Sequence, residues 1–320
     1  MNSLLIRVAA LWAMLAVAAF AQDYPAKSVR VIVPWAAGGS TDSIGRILAA
    51  KLTEYTGHQF IIDNRAGATG TIGHLLVAKS PPDGYTLLIG SNSTFAIAPH
   101  LYKLQYDNDA SFAPIELLAV SPQILSVHPS IPARSVKELV ALAKAQPGSL
   151  IFSSAGPGST SHLATELLMN TAGIKMIHVP YKGGGPSAQA LLGGETMLSF
   201  VDVITALPFA KAGRLRPLAA STTKRSAMMP ELPTISESGL KGFESSTTFA
   251  AFAPAGTPRE VIAKLNKELT RALNSADVKE KLFNQGIETV GGMPEEFVAY
   301  NKAESAKWGK VIREQGIKIE

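Results

Sequence analysis

The chain has 320 residues, no cysteine, 17% charged residues and a formal net charge of +5. Without cysteine it has no disulfides, thiol catalysis or thiolate metal sites, so core burial alone must hold it together. Its basic residues are scattered, with no run of five or more Lys and Arg, which leaves no electrostatic footprint for nucleic acid.

The first 21 residues read as a secretory signal peptide. Arg7 precedes an apolar run from Val8 to Phe20, and Ala19-Phe20-Ala21 forms an A-x-A cleavage site before Gln22. The run is short for a membrane span, and no later apolar run of about 18 residues follows. The expectation is export to the periplasm, cleavage after Ala21 and a soluble mature chain. What remains suffices for two lobes of about 150 residues each.

Strand and helix signals then alternate. Val29 to Val33 is an apolar strand, followed by a helix from Ser43 to Thr56 with Ile44, Ile47, Leu48 and Leu52 on one face. Gln59 to Asp63 is a second strand, Ile72 to Lys79 a helix and Tyr85 to Gly90 a third strand, ending in polar Ser91-Asn92-Ser93-Thr94. Leu117 to Val127 reads as one long extended segment. Ser135-Val136-Lys137-Glu138 is a capping box that opens the next helix. Strand Leu150 to Ser153, helix Ser159 to Thr171, strand Ile177 to Val179 and helix Ser187 to Leu192 follow. Strand Met197 to Phe200, a helix from Asp202 to Lys211 and strand Pro217 to Ala220 complete this half.

Phe249 to Ala253 is extended, and Thr257-Pro258-Arg259-Glu260 reads as a second capping box with proline at the first helical position. The rest reads as helices without a new strand, packed onto an existing lobe. Such alternation implies an α/β fold with parallel, doubly wound sheet, whose ligands sit at the carboxyl ends of the strands. Extended segments near Val120 to Val127 and Ala219 to Phe252 would join the lobes.

Glycine-rich turns stand at those strand ends. Pro34-Trp35-Ala36-Ala37-Gly38-Gly39-Ser40-Thr41-Asp42 and Ser153-Ser154-Ala155-Gly156-Pro157-Gly158-Ser159-Thr160-Ser161-His162 each open a helix. Each aims free backbone N–H groups at one spot, which suits an anion. Ser40 or Thr41 can cap the first helix, and hydroxyls at Ser91, Thr94, Ser153, Ser154, Ser159, Thr160 and Ser161 can turn toward carboxylate oxygens or bridging water. A third turn adds Tyr181, Lys182, Gly183 and Gly184; Lys182 and Arg65 are the cations at these turns. Asp202 is either a helix N-cap or an acceptor for a ligand amine, hydroxyl or protonated acid, and both roles can hold at once.

Catalytic patterns are missing. Gly158-Ser159-Thr160-Ser161 does not fit the nucleophile elbow, Gly156-x-Gly158-x-x-Ser161 is one glycine short of a dinucleotide loop, and the six histidines lack metal-binding spacing. A hydrolase or transferase using Ser159 or His162 is the enzymatic alternative. The expectation is no catalytic residue, no metal and no cofactor.

The turn at Pro34–Asp42, Asn64-Arg65-Ala66-Gly67-Ala68-Thr69-Gly70, Pro82-Asp83-Gly84-Tyr85-Thr86-Leu87, Pro180-Tyr181-Lys182-Gly183 and Ala253-Pro254-Ala255-Gly256-Thr257-Pro258 occur together and in order. In that set the chain closely resembles the Bordetella uptake gene family, the solute receptors of tripartite tricarboxylate transporters. The resemblance implies a non-catalytic periplasmic binding protein with two α/β lobes of the type II kind, each a mainly parallel sheet flanked by helices, and ligand in the cleft. Residues 22–123 plus 222–320 would form one lobe and 124–221 the other. It further implies a monomer that delivers a small carboxylate to a transporter with large and small integral subunits. That carboxylate would be a di- or tricarboxylate, an acidic amino acid or an aromatic acid. Carried over residue by residue, Gly38, Gly39, Ser40 and Thr41 would grip it opposite Tyr181, Lys182, Gly183 and Gly184. Trp35, Ser91, Thr94, Ser154, Ser159, Thr160, His162 and Asp202 would finish the site. A sensor subunit presenting the bound carboxylate to a membrane signalling partner is the alternative role.

Overall fold

The computed structural model describes residues 24–319, so the predicted signal peptide lies outside the described residues. Among the described residues no helix is long and apolar enough to cross a membrane. β1 (Val29–Val33) is almost wholly buried, as a strand covered on both faces must be. β2 (Phe60–Asn64) and β3 (Thr86–Ser91) flank it in parallel. α1 (Ser40–Thr56) lays Ile44, Leu48 and Leu52 on one face of these strands. α2 (Thr71–Ala78) covers the other with Val77.

β4 (Phe112–Val127) is the spine of the molecule. Its first part pairs antiparallel with β9 (Ser246–Pro254), which also pairs antiparallel with β3. The pairing with β9 ends at Pro122, and from Gln123 onward the partners are β7 (Leu198–Asp202) and β8 (Arg216–Ala220). β5 (Ile151–Ser154) joins β7 in parallel, and β6 (Ile177–Pro180) joins β5 in parallel. The strand order is therefore β2-β1-β3-β9-β4-β7-β5-β6. The outer strands follow the parallel βαβ rule; the antiparallel pairs lie where the chain crosses between halves, because a strand that leaves and one that returns must run in opposite directions.

The second half has its own cores. α3 (Val136–Ala145) and α4 (Thr160–Ala172) pack against one face around Phe152 and Phe200, and α5 (Gly184–Leu192) and α6 (Val203–Lys211) against the other around Val201 and Leu215. Met229, Leu232, Ile235 and Phe243 fill these same two cores. Residues 222–245, grouped with the first lobe by sequence, thus pack with the second, and the chain returns at Ser246. Their apolar side chains are spaced too irregularly to reveal which sheet they cover.

At the crossing, polar groups stitch departing and returning strands together. Ser221 N–H donates to Gln123 O at 2.8 Å and Ser245 N–H to Ser221 O at 2.9 Å. The Ser245 hydroxyl donates to Gln123 Oε1 at 3.1 Å. All three side chains are buried, so their polar atoms must bond one another.

The C-terminal third departs from the sequence reading in three places. α7 (Arg259–Asn274) has Pro258 at its N-cap and no side-chain cap, because the Thr257 hydroxyl donates instead to Pro254 O at 2.7 Å. After α8 (Ala276–Phe283), a short strand β10 (Glu288–Thr289) does form, antiparallel to β4 at Val120 and Ala119. α9 (Pro294–Gln315) then bridges the halves: Trp308 and Ile312 pack with Ile97 of the first and Leu163 of the second.

One buried carboxylate lies outside these cores' apolar logic. Glu116 on β4 is fully buried. One oxygen accepts from the Thr270 hydroxyl at 2.6 Å and Gly292 N–H at 3.0 Å; the other has no partner. Burial pushes its pKa up to about 7, against the two hydrogen bonds that lower it.

Candidate functional site

Four strand ends of the two halves converge on one small cleft cavity. After β1 the chain turns through Pro34 to Gly39 into α1; after β5 it turns through Ala155 to Ser159 into α4. After β6 it turns through Tyr181 to Gly183 into α5, and β7 ends at Asp202, the N-cap position of α6. The cavity has a volume of about 40 Å³, room for about three waters.

The turns touch through bare backbone. Gly183, at φ 128, gives its turn a shape that side chains rarely allow, and a Cβ on it would lie 3.4 Å from Ala36 N. A Cβ on Gly185 would lie 3.1 Å from Gly38 C and 3.3 Å from Ala37 O. Two helix starts face this gap uncapped. Gly39 and Gly183 are the N-caps of α1 and α5, and neither helix has a side-chain cap. Ser40 and Thr41 do not cap α1, because Gly39 already occupies the cap position and the Ser40 hydroxyl donates across the gap to Asp202. α5 begins at Gly184, earlier than the sequence pattern implied, since Pro186 is tolerated within a first turn.

The turn leading to α4 behaves differently. Its donors are used internally: Ser159 Oγ accepts from His162 N–H at 3.3 Å and Ser161 Oγ from Ala155 N–H at 3.0 Å. Thr160 N–H donates to Ser93 Oγ at 2.9 Å, and the Thr160 hydroxyl donates to Asn92 Oδ1 at 3.0 Å. This turn is a wall and an interlobe tie rather than an open anion cradle.

Asp202 is the one ionisable side chain on the cavity wall; no basic side chain lines it. It stands at an N-cap position but caps nothing. One carboxylate oxygen accepts from Ser40 and the other from the Thr247 hydroxyl at 2.6 Å, so three chain segments meet at it. Burial raises its pKa, opposed by hydrogen bonds from Ser40, Thr247 and Gln123.

Of the residues singled out by sequence, Trp35, Gly39, Ser40, Thr41, Ser91 and Asp202 reach the cavity, as do Ser159, Thr160 and Gly184. The others stand apart from it. Gly38 lies in an adjoining chamber. Thr94 donates to Thr69 O at 2.8 Å, and Ser154 pairs with His178 Nε2 at 2.6 Å. His162 Nδ1 accepts from Gly158 N–H at 3.0 Å while its ring stacks on His178 at 4.2 Å. The Tyr181 hydroxyl donates to Glu195 at 3.1 Å, Lys182 is exposed and Gly183 serves as N-cap. Arg65 is paired with Asp63 at 2.9 Å.

Ser161, one of the turn hydroxyls read from the sequence, also reaches the cavity, and the structure adds Ser93, Gln123, Ser187, Thr205 and Thr247 to the lining. Gln123 left a trace in the sequence, as a polar break within the apolar Leu117 to Val127 run; Thr205 and Thr247 left none. A last feature is the indole of Trp35. It is buried on the cavity wall, and its Nε1–H has no partner within the protein. A buried donor without an acceptor costs about 1–3 kcal/mol unless something else fills the role.

An interlobe cavity lined by hydroxyls and helix starts defines a two-lobed solute receptor. The tripartite tricarboxylate transporter family receptor model matches residues 44–317, and the chain belongs to that family. Its relatives include BugT of Bordetella pertussis, 36% identical over 93% of this chain and 92% of that protein. The structure of R. palustris Rpa4515 with adipate is 38% identical, with a TM-score of 0.91, covering 92% of this chain and 99% of that one. MatC from Rhodopseudomonas palustris with bound malate is 31% identical, with a TM-score of 0.87, covering 90% and 100%. The family consists of periplasmic solute-binding receptors, not enzymes, and so does this chain's place in it.

Proposed function

We propose that this receptor captures a small carboxylate in the inner cavity and delivers it to a membrane transporter with one large and one small integral subunit. The chain would reach the periplasm after cleavage behind Ala21 and act as a monomer. Its lobes would be residues 22–122 plus 246–320 and residues 123–245. The observation that carries the reading is the unpartnered Trp35 Nε1–H in a cavity that also receives two uncapped helix starts. Hydroxyls and backbone N–H groups suit carboxylate oxygens without a matched cation. The adipate and malate in the two Rhodopseudomonas proteins support the same class of ligand.

Ligand-stripped protein should melt at a higher temperature with one or a few members of a panel of mono-, di- and tricarboxylates. At 100 times Kd, binding should add about 2.7 kcal/mol of stability. No response to the whole panel would sink the proposal. Trp35→Phe sharpens the test. It removes an unpaired buried donor, so the ligand-free protein should be as stable as wild type or about 1 kcal/mol more so. Carboxylate affinity should nevertheless fall about tenfold, since hydrogen bonds to charged groups contribute about 1.5–3 kcal/mol. Unchanged affinity in a titration would remove the indole from the site.

A further inference from the structure

The inner cavity is not the only space between the lobes. A second chamber of about 410 Å³ adjoins it, and Gly39 and Thr205 belong to the walls of both. The first lobe contributes Ile47 and the second Ile204, Pro208 and Phe209. Arg214 stacks on the Phe209 ring, 5.5 Å from its centroid, and does not itself line the chamber. One guanidinium does, that of Arg46, but Asp42 already holds it: Nε donates at 3.0 Å and a second nitrogen lies 3.0 Å from the other carboxylate oxygen. Arg46 also donates to Asn64 Oδ1 at 3.2 Å.

We infer that this outer chamber holds the tail of the ligand whose carboxylate occupies the inner cavity, and that the tail is apolar. The substrate class is then a monocarboxylic acid with an alkyl or aryl tail. The inference rests on the carboxylate reading of the inner cavity. Its argument is one of space and charge. About 40 Å³ accommodates a carboxylate head and little more, so a longer ligand must continue elsewhere. The shared Gly39–Thr205 wall makes the outer chamber its nearest continuation. There it meets four apolar side chains, the neutral polar groups of Ser43, Gln189 and Thr205, and a cation already neutralised by its own neighbour. A second carboxylate in that place would meet no unpaired cation, only those neutral polar groups beside the charge of Asp42. An alkyl or aryl group would gain from leaving water.

The test is a titration of ligand-stripped protein with propanoate, hexanoate, octanoate and hexanedioate. Affinity should rise from propanoate to hexanoate by about fourfold per methylene. Hexanoate should bind at least tenfold tighter than hexanedioate. In Phe209→Asp, checked for an unchanged melting temperature, the gain per methylene should drop below twofold. A flat alkyl series in the wild type, or hexanedioate binding as tightly as hexanoate, overturns the apolar tail while leaving the carboxylate reading intact. If none of the four acids binds, the carboxylate reading fails first and takes this inference with it. The wild-type series decides the matter even if the variant does not fold.

Discussion

Gly185→Val should leave each lobe folded and weaken carboxylate binding by at least about 100-fold, or about 2.7 kcal/mol. The position is the second residue of α5, where valine is no worse for the helix than glycine. What it lacks is room across the gap. Even a Cβ would approach Gly38 C to 3.1 Å and Ala37 O to 3.3 Å, and both are backbone atoms that cannot swing aside. The two branches of valine would hold the turns apart, separate the uncapped helix starts and admit water to the cavity. The hydroxyl of Ser40 would lose Asp202 as well. Calorimetric titration reads the affinity, and small-angle scattering reads whether ligand still compacts the molecule. A valine variant that binds and closes like wild type would show that the glycine contact is incidental.

The second large effect concerns stability, at a residue that does not line the cavity. Glu116 titrates near pH 7 in the folded protein, against an ordinary value of 4.5. Between those values the unfolded chain has lost the proton while the folded chain keeps it. Stability therefore falls as pH rises through this window and levels off above pH 7, by about 3 kcal/mol in all. Glu116→Gln removes the titration but keeps an oxygen for Thr270 and Gly292. At pH 5 the two proteins should unfold at similar urea concentrations. At pH 8 the glutamine variant should be more stable by about 2–3 kcal/mol. Parallel stability curves for the two proteins would show that Glu116 does not govern this part of the pH response. The side chain's second oxygen, buried without a partner, is the physical reason to expect divergence.

Much of the fold was legible because apolar spacing marks strands and helices independently of their neighbours. Ile44, Leu48 and Leu52 announce α1 by period alone, and Ser135 does cap α3 by accepting from Glu138 N–H at 3.2 Å. Pairing is another matter. Nothing local tells that β9 lies antiparallel between β3 and β4, or that Ile235 and Phe243 serve the second lobe. The site followed the same division. Glycine-rich turns are visible because backbone freedom is encoded in residue type, so Gly39, Ser40 and Gly184 could be found. Thr247 and Thr205 are ordinary strand and helix residues until the fold brings them to the cavity. Likewise His162 and Ser154 sit in a hydroxyl-rich turn, yet His178 of the neighbouring strand draws both, stacking on the ring of the one and bonding the hydroxyl of the other.

The crossing between the lobes has a consequence for survival outside the cytoplasm. Proteases usually cut two-domain proteins at the exposed linker between them. Here one passage is the unbroken β4, and the other leaves the second lobe at Ser245, which is fully buried and bonded through its N–H to Ser221 and through its hydroxyl to Gln123. A nicking enzyme finds no slack chain at the pivot unless the sheet itself opens locally. A chain with no disulfide to hold cut ends together thus crosses between its lobes on buried, hydrogen-bonded strands.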